Sequence, residues 1–173
     1  MTTSQHVLLP EPEENAQLNR SRLLLKMELR SNPETLCAVR GAVAQLAETL
    51  GFPESECRAV VLGIDEALTN IIRHAYGGAA EQPIEVIFHR IQEPWRGANR
   101  EALEIVLVDQ GKKVDSSKLA GRALEDVRPG GLGLHFIRET MDAVEFRHTN
   151  GRNQLRLVKF LSVPEPHKGS QGE

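Results

Sequence analysis

Glu66, Asn70 and Arg73 lie in the stretch Asp65-Glu66-Ala67-Leu68-Thr69-Asn70-Ile71-Ile72-Arg73, spaced so that each is one helical turn from the next. A carboxylate one turn from a carboxamide can divide the work around a reacting centre. The amide oxygen can hold a metal ion, the carboxylate can accept a proton, and the guanidinium offsets negative charge. At about 100° per residue, a helix over Val60 to Ala75 puts Val60, Val61, Ile64, Ala67, Leu68, Ile71 and Ala75 on one apolar stripe, with Glu66, Asn70 and Arg73 opposite. Polar residues opposite such a stripe are more often a solvated face than a site. Two details count against that reading here. Asn in a helix interior costs about 0.5 kcal/mol relative to Ala, and the helix runs straight into Tyr76-Gly77-Gly78.

Two later stretches add to the pattern. Val108-Asp109-Gln110-Gly111 ends a strongly β-prone run. A carboxylate at that strand end can accept a hydrogen bond from the exocyclic amine of adenine, where guanine presents a carbonyl oxygen instead. Gly130-Gly131-Leu132-Gly133 opens a helix, where free backbone N–H groups and the helix dipole can cradle phosphates. It is not a P-loop, because no Lys-Ser/Thr follows, and it does not follow the first strand of a βαβ unit as a dinucleotide fingerprint would. Mg²⁺ favours about six oxygens and takes only one or two from protein when phosphates are present. Asn70 can supply one, and Glu66 can then orient or deprotonate an attacking hydroxyl or water. Each stretch alone is a common turn or surface; jointly they point to ATP and Mg²⁺.

The elements that must position these groups follow from periodicity and breakers. Ser21 to Arg30 reads as a strand, and Asn32-Pro33-Glu34 as a helix start with Pro in its first turn. Leu36, Val39, Val43, Leu46 and Leu50 keep helical spacing until Gly51, and a second helix runs from Glu54-Ser55-Glu56 to Gly77-Gly78. Pro83 to Ile91 and Leu103 to Val108 read as a hairpin of strands around a turn at Glu93 to Arg100. Lys112 to Arg128 reads as a mobile connection, Leu132 to Met141 as a helix, and Ala143 to His148 and Gln154 to Leu161 as strands around an Asn150-Gly151 turn. This order predicts an α+β, two-layer sandwich: helices on one face of a mixed, mostly antiparallel sheet. Residues 1–19 and 163–173 are expected to be flexible tails around a single domain at 20–162.

Bulk properties narrow the function classes. The 173 residues are 40% hydrophobic and suit one substantial core. A formal net charge of -3 without a Lys/Arg tract disfavours direct nucleic-acid or anionic-membrane binding. No segment approaches the roughly 20 apolar residues of a membrane span, and no signal-peptide pattern opens the chain, so a cytoplasmic protein is expected. Cys37 and Cys57 lack metal-ligand or redox spacing and are expected to be buried free thiols in helices. Aromatics make up 4% of the chain, too few for base-stacking platforms.

In their order and separation, the three motifs resemble the ATP-binding superfamily shared by DNA gyrase, a heat-shock chaperone, histidine kinases and mismatch-repair proteins. They are most similar to the anti-sigma factor serine/threonine kinases of bacterial stress and sporulation switches. The matching stretches are Asp65 to Asn70 with Arg73-His74-Ala75-Tyr76, Val108 to Gly111, and Gly130 to Leu134 followed by Met141-Asp142. The resemblance implies a Bergerat-type fold, with Glu66 as catalytic base, Asn70 as magnesium ligand and Asp109 with Gly111 at adenine. It implies further that Gly130, Gly131, Leu132 and Gly133 form the phosphate loop and that Lys112 to Arg128 is the ATP lid. Arg73 belongs to the nucleotide-binding motif by the same resemblance. The implied protein is a homodimer that binds a sigma factor and phosphorylates a serine of a STAS-type anti-anti-sigma antagonist. Two positions depart from the superfamily pattern: Lys113 replaces a glycine, and Arg152-Asn153 replaces a Gly-Thr pair whose hydroxyl supports the adenine contact. Asn153 can make an equivalent hydrogen bond through its amide. Two other functions share these motifs: a nucleotide-gated binding module without efficient phosphotransfer, and a detached histidine-kinase ATPase domain. The last fits poorly, because no hairpin bearing a phospho-accepting His precedes the domain.

Overall fold

The computed structural model describes residues 21–113 and 132–162, with backbone alone for 132–134. The expected tails, almost all of the expected lid, and Gly130 and Gly131 therefore lie outside the described residues. Strand β1 (Ser21–Arg30) turns Leu25, Met27 and Leu29 inward and Lys26, Glu28 and Arg30 outward, the period of a half-buried strand. A register shift between Leu23 and Leu25 marks a bulge. The Asn-Pro-Glu segment starts the helix as expected, through a 3₁₀ turn, Pro33–Thr35, with Asn32 as its N-cap. Helix α1 (Leu36–Leu50) then buries Leu36, Val39, Val43 and Ala47, and Gly51 ends it at a φ of 91°, a left-handed value suited to glycine.

Helix α2 (Glu54–Asn70) carries Glu54 and Glu56 in its first turn, where carboxylates complement the dipole. It does not continue as α-helix to Ala75. Ile71–Ala75 forms a wider π turn, closed by the Tyr76 N–H donating to the Ile71 carbonyl at 3.0 Å. Helix α3 (Leu132–Thr140) crosses α2 closely at Gly63, where a Cβ would stand 2.6 Å from Thr140 Oγ1 and 2.8 Å from Met141 Cε. Arg40 and Asp65 join α1 to α2 by an ion pair at 2.7 Å.

Strands β2 (Pro83–Trp95), β3 (Ala98–Asp109), β4 (Ala143–Thr149) and β5 (Arg152–Phe160) complete a sheet ordered β1-β2-β3-β5-β4. All four pairings are antiparallel, so the sheet is not mixed. The expected turn at Glu93 to Arg100 is in fact strand down to a two-residue reversal. Arg96 and Gly97 take φ values of 48° and 80°, the pair of positive angles a tight hairpin needs. Packing supplies what the polar sequence there does not signal. Trp95 stacks on Phe160 with ring centroids 4.6 Å apart.

One face of the sheet, with Ile84, Val86, Phe88, Leu103, Ile105, Leu107 and Leu157, meets the helices in the main core. The other face holds a smaller apolar cluster of Ile91, Ala102, Val158 and Phe160. Beside it Arg156 reaches Glu104 at 2.6 Å, Glu145 at 3.0 Å and also Glu93, linking β5 to three other strands. Cys57 is buried as expected, and desolvation raises its thiol pKa. Cys37, by contrast, is exposed; it follows Leu36 and so points away from the Val39 and Val43 stripe.

Candidate functional site

The best-organised polar group among the described residues lies where β3, β5 and the end of α2 meet. Asp109 is the last residue of β3 and only 4% exposed. Its Oδ1 accepts two hydrogen bonds, from the Gly111 N–H at 2.8 Å and from Asn153 Nδ2 at 2.8 Å. Asn153 is 1% exposed and faces Asp109 directly across the β3–β5 ladder. Its Nδ2 also lies 3.3 Å from the Gly111 carbonyl and 3.1 Å from that of Lys112, fastening the start of the following loop. Burial pushes the Asp109 carboxyl above the usual carboxylate range. The Asn153 and Gly111 hydrogen bonds, and then the charge of His148, oppose that rise.

The backbone after Asp109 is pinned against the π turn. A Cβ on Gly111 would stand 2.6 Å from the backbone carbon and oxygen of Ala75, so only glycine allows this approach. Lys112 N–H donates to the Ala75 carbonyl at 2.9 Å. Tyr76 completes the corner. Its hydroxyl donates to the Pro83 carbonyl at 2.5 Å and accepts from the Gln110 N–H at 2.9 Å. Burial raises the Tyr76 pKa, so the phenol stays protonated and able to donate.

Glu66 and Asn70 sit upstream on α2, both half-buried, and neither side chain hydrogen-bonds to a described residue. Arg73 is exposed within the π turn. The structure thus joins Asp109, Gly111 and Asn153 in one network and leaves Glu66 and Asn70 without a side-chain hydrogen bond among the described residues. Leu132 and Gly133 form the backbone of the first turn of α3. Among the described residues no group of three or more His, Cys, Asp or Glu could hold a metal ion. The amide oxygen of Asn70, without a partner among the described residues, nevertheless suits Mg²⁺ carried by phosphates, which needs few protein ligands.

Two contributors lay outside the sequence expectation. Tyr76 was part of a motif without a role, and His148 had none; its Nδ1 lies 2.8 Å from Asn153 Oδ1. The signal for His148 was in the Asn150-Gly151 turn. A two-residue reversal there pairs Thr149 with Arg152 and therefore His148 with Asn153.

The serine-protein kinase RsbW of Halalkalibacterium halodurans is 27% identical over 149 residues, 82% of this chain and 85% of that protein. RsbW of Bacillus pumilus is 25% identical over 153 residues, 84% of this chain and 90% of that protein. The crystal structure of the RsbU and RsbW domains of a Mycobacterium tuberculosis protein shares the fold, with a TM-score of 0.53 and 16% identity over 82% of this chain and 34% of that one. The model of the histidine kinase-like ATPase domain matches residues 29–159. With most of its length matched and its five-stranded sheet and helical layer in place, the chain belongs to the histidine kinase-like ATPase domain family.

Proposed function

We propose that this chain is an ATP-dependent protein serine/threonine kinase that acts as an anti-sigma factor. It would bind a sigma factor and phosphorylate a serine of a STAS-type anti-anti-sigma antagonist, working as a homodimer. The observation that carries the reading is the buried Asp109, which spends one carboxylate oxygen on Gly111 and Asn153 while the other meets no donor among the described residues. Family membership supports ATP as that ligand, and similarity to serine-protein kinases over most of the chain supports a protein substrate.

In this reading Asp109 accepts the adenine amine, Gly111 lets the loop approach Ala75, and Asn153 holds the carboxylate in place. Gly130, Gly131, Leu132 and Gly133 offer backbone N–H groups to the phosphates, and Arg73 adds positive charge near them. Asn70 Oδ1 holds Mg²⁺, which when bound neutralises phosphate charge. Glu66 orients the incoming serine hydroxyl and accepts its proton.

The test mixes the purified chain with labelled ATP, Mg²⁺ and the antagonist. We expect label on an antagonist serine, with Glu66→Gln lowering the transfer rate by about 10²- to 10⁴-fold, the usual worth of a positioned base. The ATP Kd of that variant should stay within about twofold, because Glu66 acts on the hydroxyl and not on the nucleotide. ATP binding by the wild-type chain without any transfer would instead favour a nucleotide-gated binding module.

A further inference from the structure

His148 stands one step behind the network that holds Asp109, and the donor and acceptor logic of that network is closed. Asn153 Nδ2 faces three acceptors: Asp109 Oδ1, the Gly111 carbonyl and the Lys112 carbonyl. An amide nitrogen carries two N–H donors and accepts nothing, so only this orientation turns donors toward that cluster of oxygens. It leaves Asn153 Oδ1 facing His148 Nδ1 at 2.8 Å, and that nitrogen must carry the proton. If the His148 proton is lost from this position, two lone pairs oppose each other. Turning the Asn153 amide over would relieve that contact, but would present its oxygen to the Asp109 carboxylate.

From this we propose that His148 is a positioning residue for nucleotide recognition: it fixes the Asn153 amide, and through it aims the free oxygen of Asp109 at the ligand's exocyclic amine. The inference rests on the proposed adenine contact at Asp109 and extends it to a residue that touches no ligand. His148 is half-buried on β4, directly across the hairpin from Asn153, and so reaches Asp109 only through that amide. The Gly-Thr pair that the superfamily commonly carries at Arg152-Asn153 needs no such partner, since a hydroxyl rotates freely to serve whichever acceptor it meets. An amide has a wrong way round. Asn153 therefore creates a need that His148 meets.

The test separates positioning from mere support of the hairpin. Kd values for ATP and for purine riboside triphosphate, which lacks the exocyclic amine, are measured by calorimetry with Mg²⁺ on the full chain and on His148→Leu and His148→Asn. Leu fills the space without a donor, whereas the Asn amide nitrogen stands where the imidazole Nδ1 stood and can donate to the same oxygen. We expect His148→Leu to weaken ATP binding roughly five- to tenfold, the scale of one polar contact, and to change the purine analogue by less than about twofold. His148→Asn should recover most of the ATP affinity. Equal losses for both nucleotides, no loss for either, or failure of Asn to restore ATP binding would each overturn the proposal. The ratio of the two affinities is taken within one preparation, so a partly destabilised variant still reports it. A wild-type chain that binds both nucleotides equally, or neither, would overturn the Asp109 reading itself, an outcome distinct from any His148 result.

Discussion

Asp109 places an ionisable group where water is scarce, and the consequences separate stability from function. Burial raises its carboxyl pKa. A carboxyl whose folded pKa lies above its unfolded value contributes stability that is fully present below the unfolded value and lost as pH rises through the folded one. Raising the pH above the ordinary carboxylate range therefore lowers what this group contributes to the stability of the nucleotide-free fold. Asp109→Asn keeps an oxygen to accept from Gly111 and Asn153 while removing the charge. Its nucleotide-free melting temperature at pH 7 should equal or exceed that of the wild type, and the difference should shrink on acidification toward the ordinary carboxylate range. Its ATP affinity should fall about 10- to 100-fold, the loss of a charge-assisted hydrogen bond worth roughly 1.5–3 kcal/mol. A variant that melts lower at pH 7 would contradict this account. Asp109 stands out in the sequence by its place at a strand end, whereas Asn153 is singled out only by the superfamily resemblance; the fold joins the two at 2.8 Å. The tight seat of Gly111 could not be read from sequence, since it depends on Ala75, a contact that only the assembled fold creates.

Secondary-structure elements were legible wherever one face is apolar and a breaker closes the run. The α1 stripe ending at Gly51 and the Asn150-Gly151 reversal are of this kind. Legibility failed where tertiary contact overrides composition. The far halves of the β2–β3 hairpin are polar and were read as a turn, yet Trp95 packing on Phe160 holds them as strands. The π turn likewise leaves no mark on hydrophobic spacing, because it adds width to the helix and not polarity. Helix packing makes opposite predictions for one substitution at two sites. Gly63→Ala should destabilise by about 1–3 kcal/mol, because its new Cβ meets Thr140 Oγ1, itself bonded to the Phe136 carbonyl. Gly41→Ala, with open space around it on α1, should stabilise by roughly 0.5–1 kcal/mol. Chemical denaturation of both variants checks the pair; equal signs would show that the α2–α3 contact is looser than its geometry indicates.

Across the whole molecule, β2 with β3 and β4 with β5 are hairpins of adjacent segments, while β3 must find β5 across the chain. Asp109 and Asn153 are 44 residues apart and sit on that long-range junction. Contacts between distant segments carry a larger loop-closure cost than local hairpins and tend to form later. The network proposed for adenine thus sits on one of two long-range seams, β3–β5, the other being β1–β2, and is expected to form late. ATP bound there would act as a latch on a finished structure: in stopped-flow experiments it should slow unfolding and leave the refolding rate constant unchanged. Refolding that accelerates with ATP would mean that the two hairpins have already met at the barrier. On the expected outcome, nucleotide occupancy sets how long each molecule lasts once folded, and has no say in how quickly it gets there.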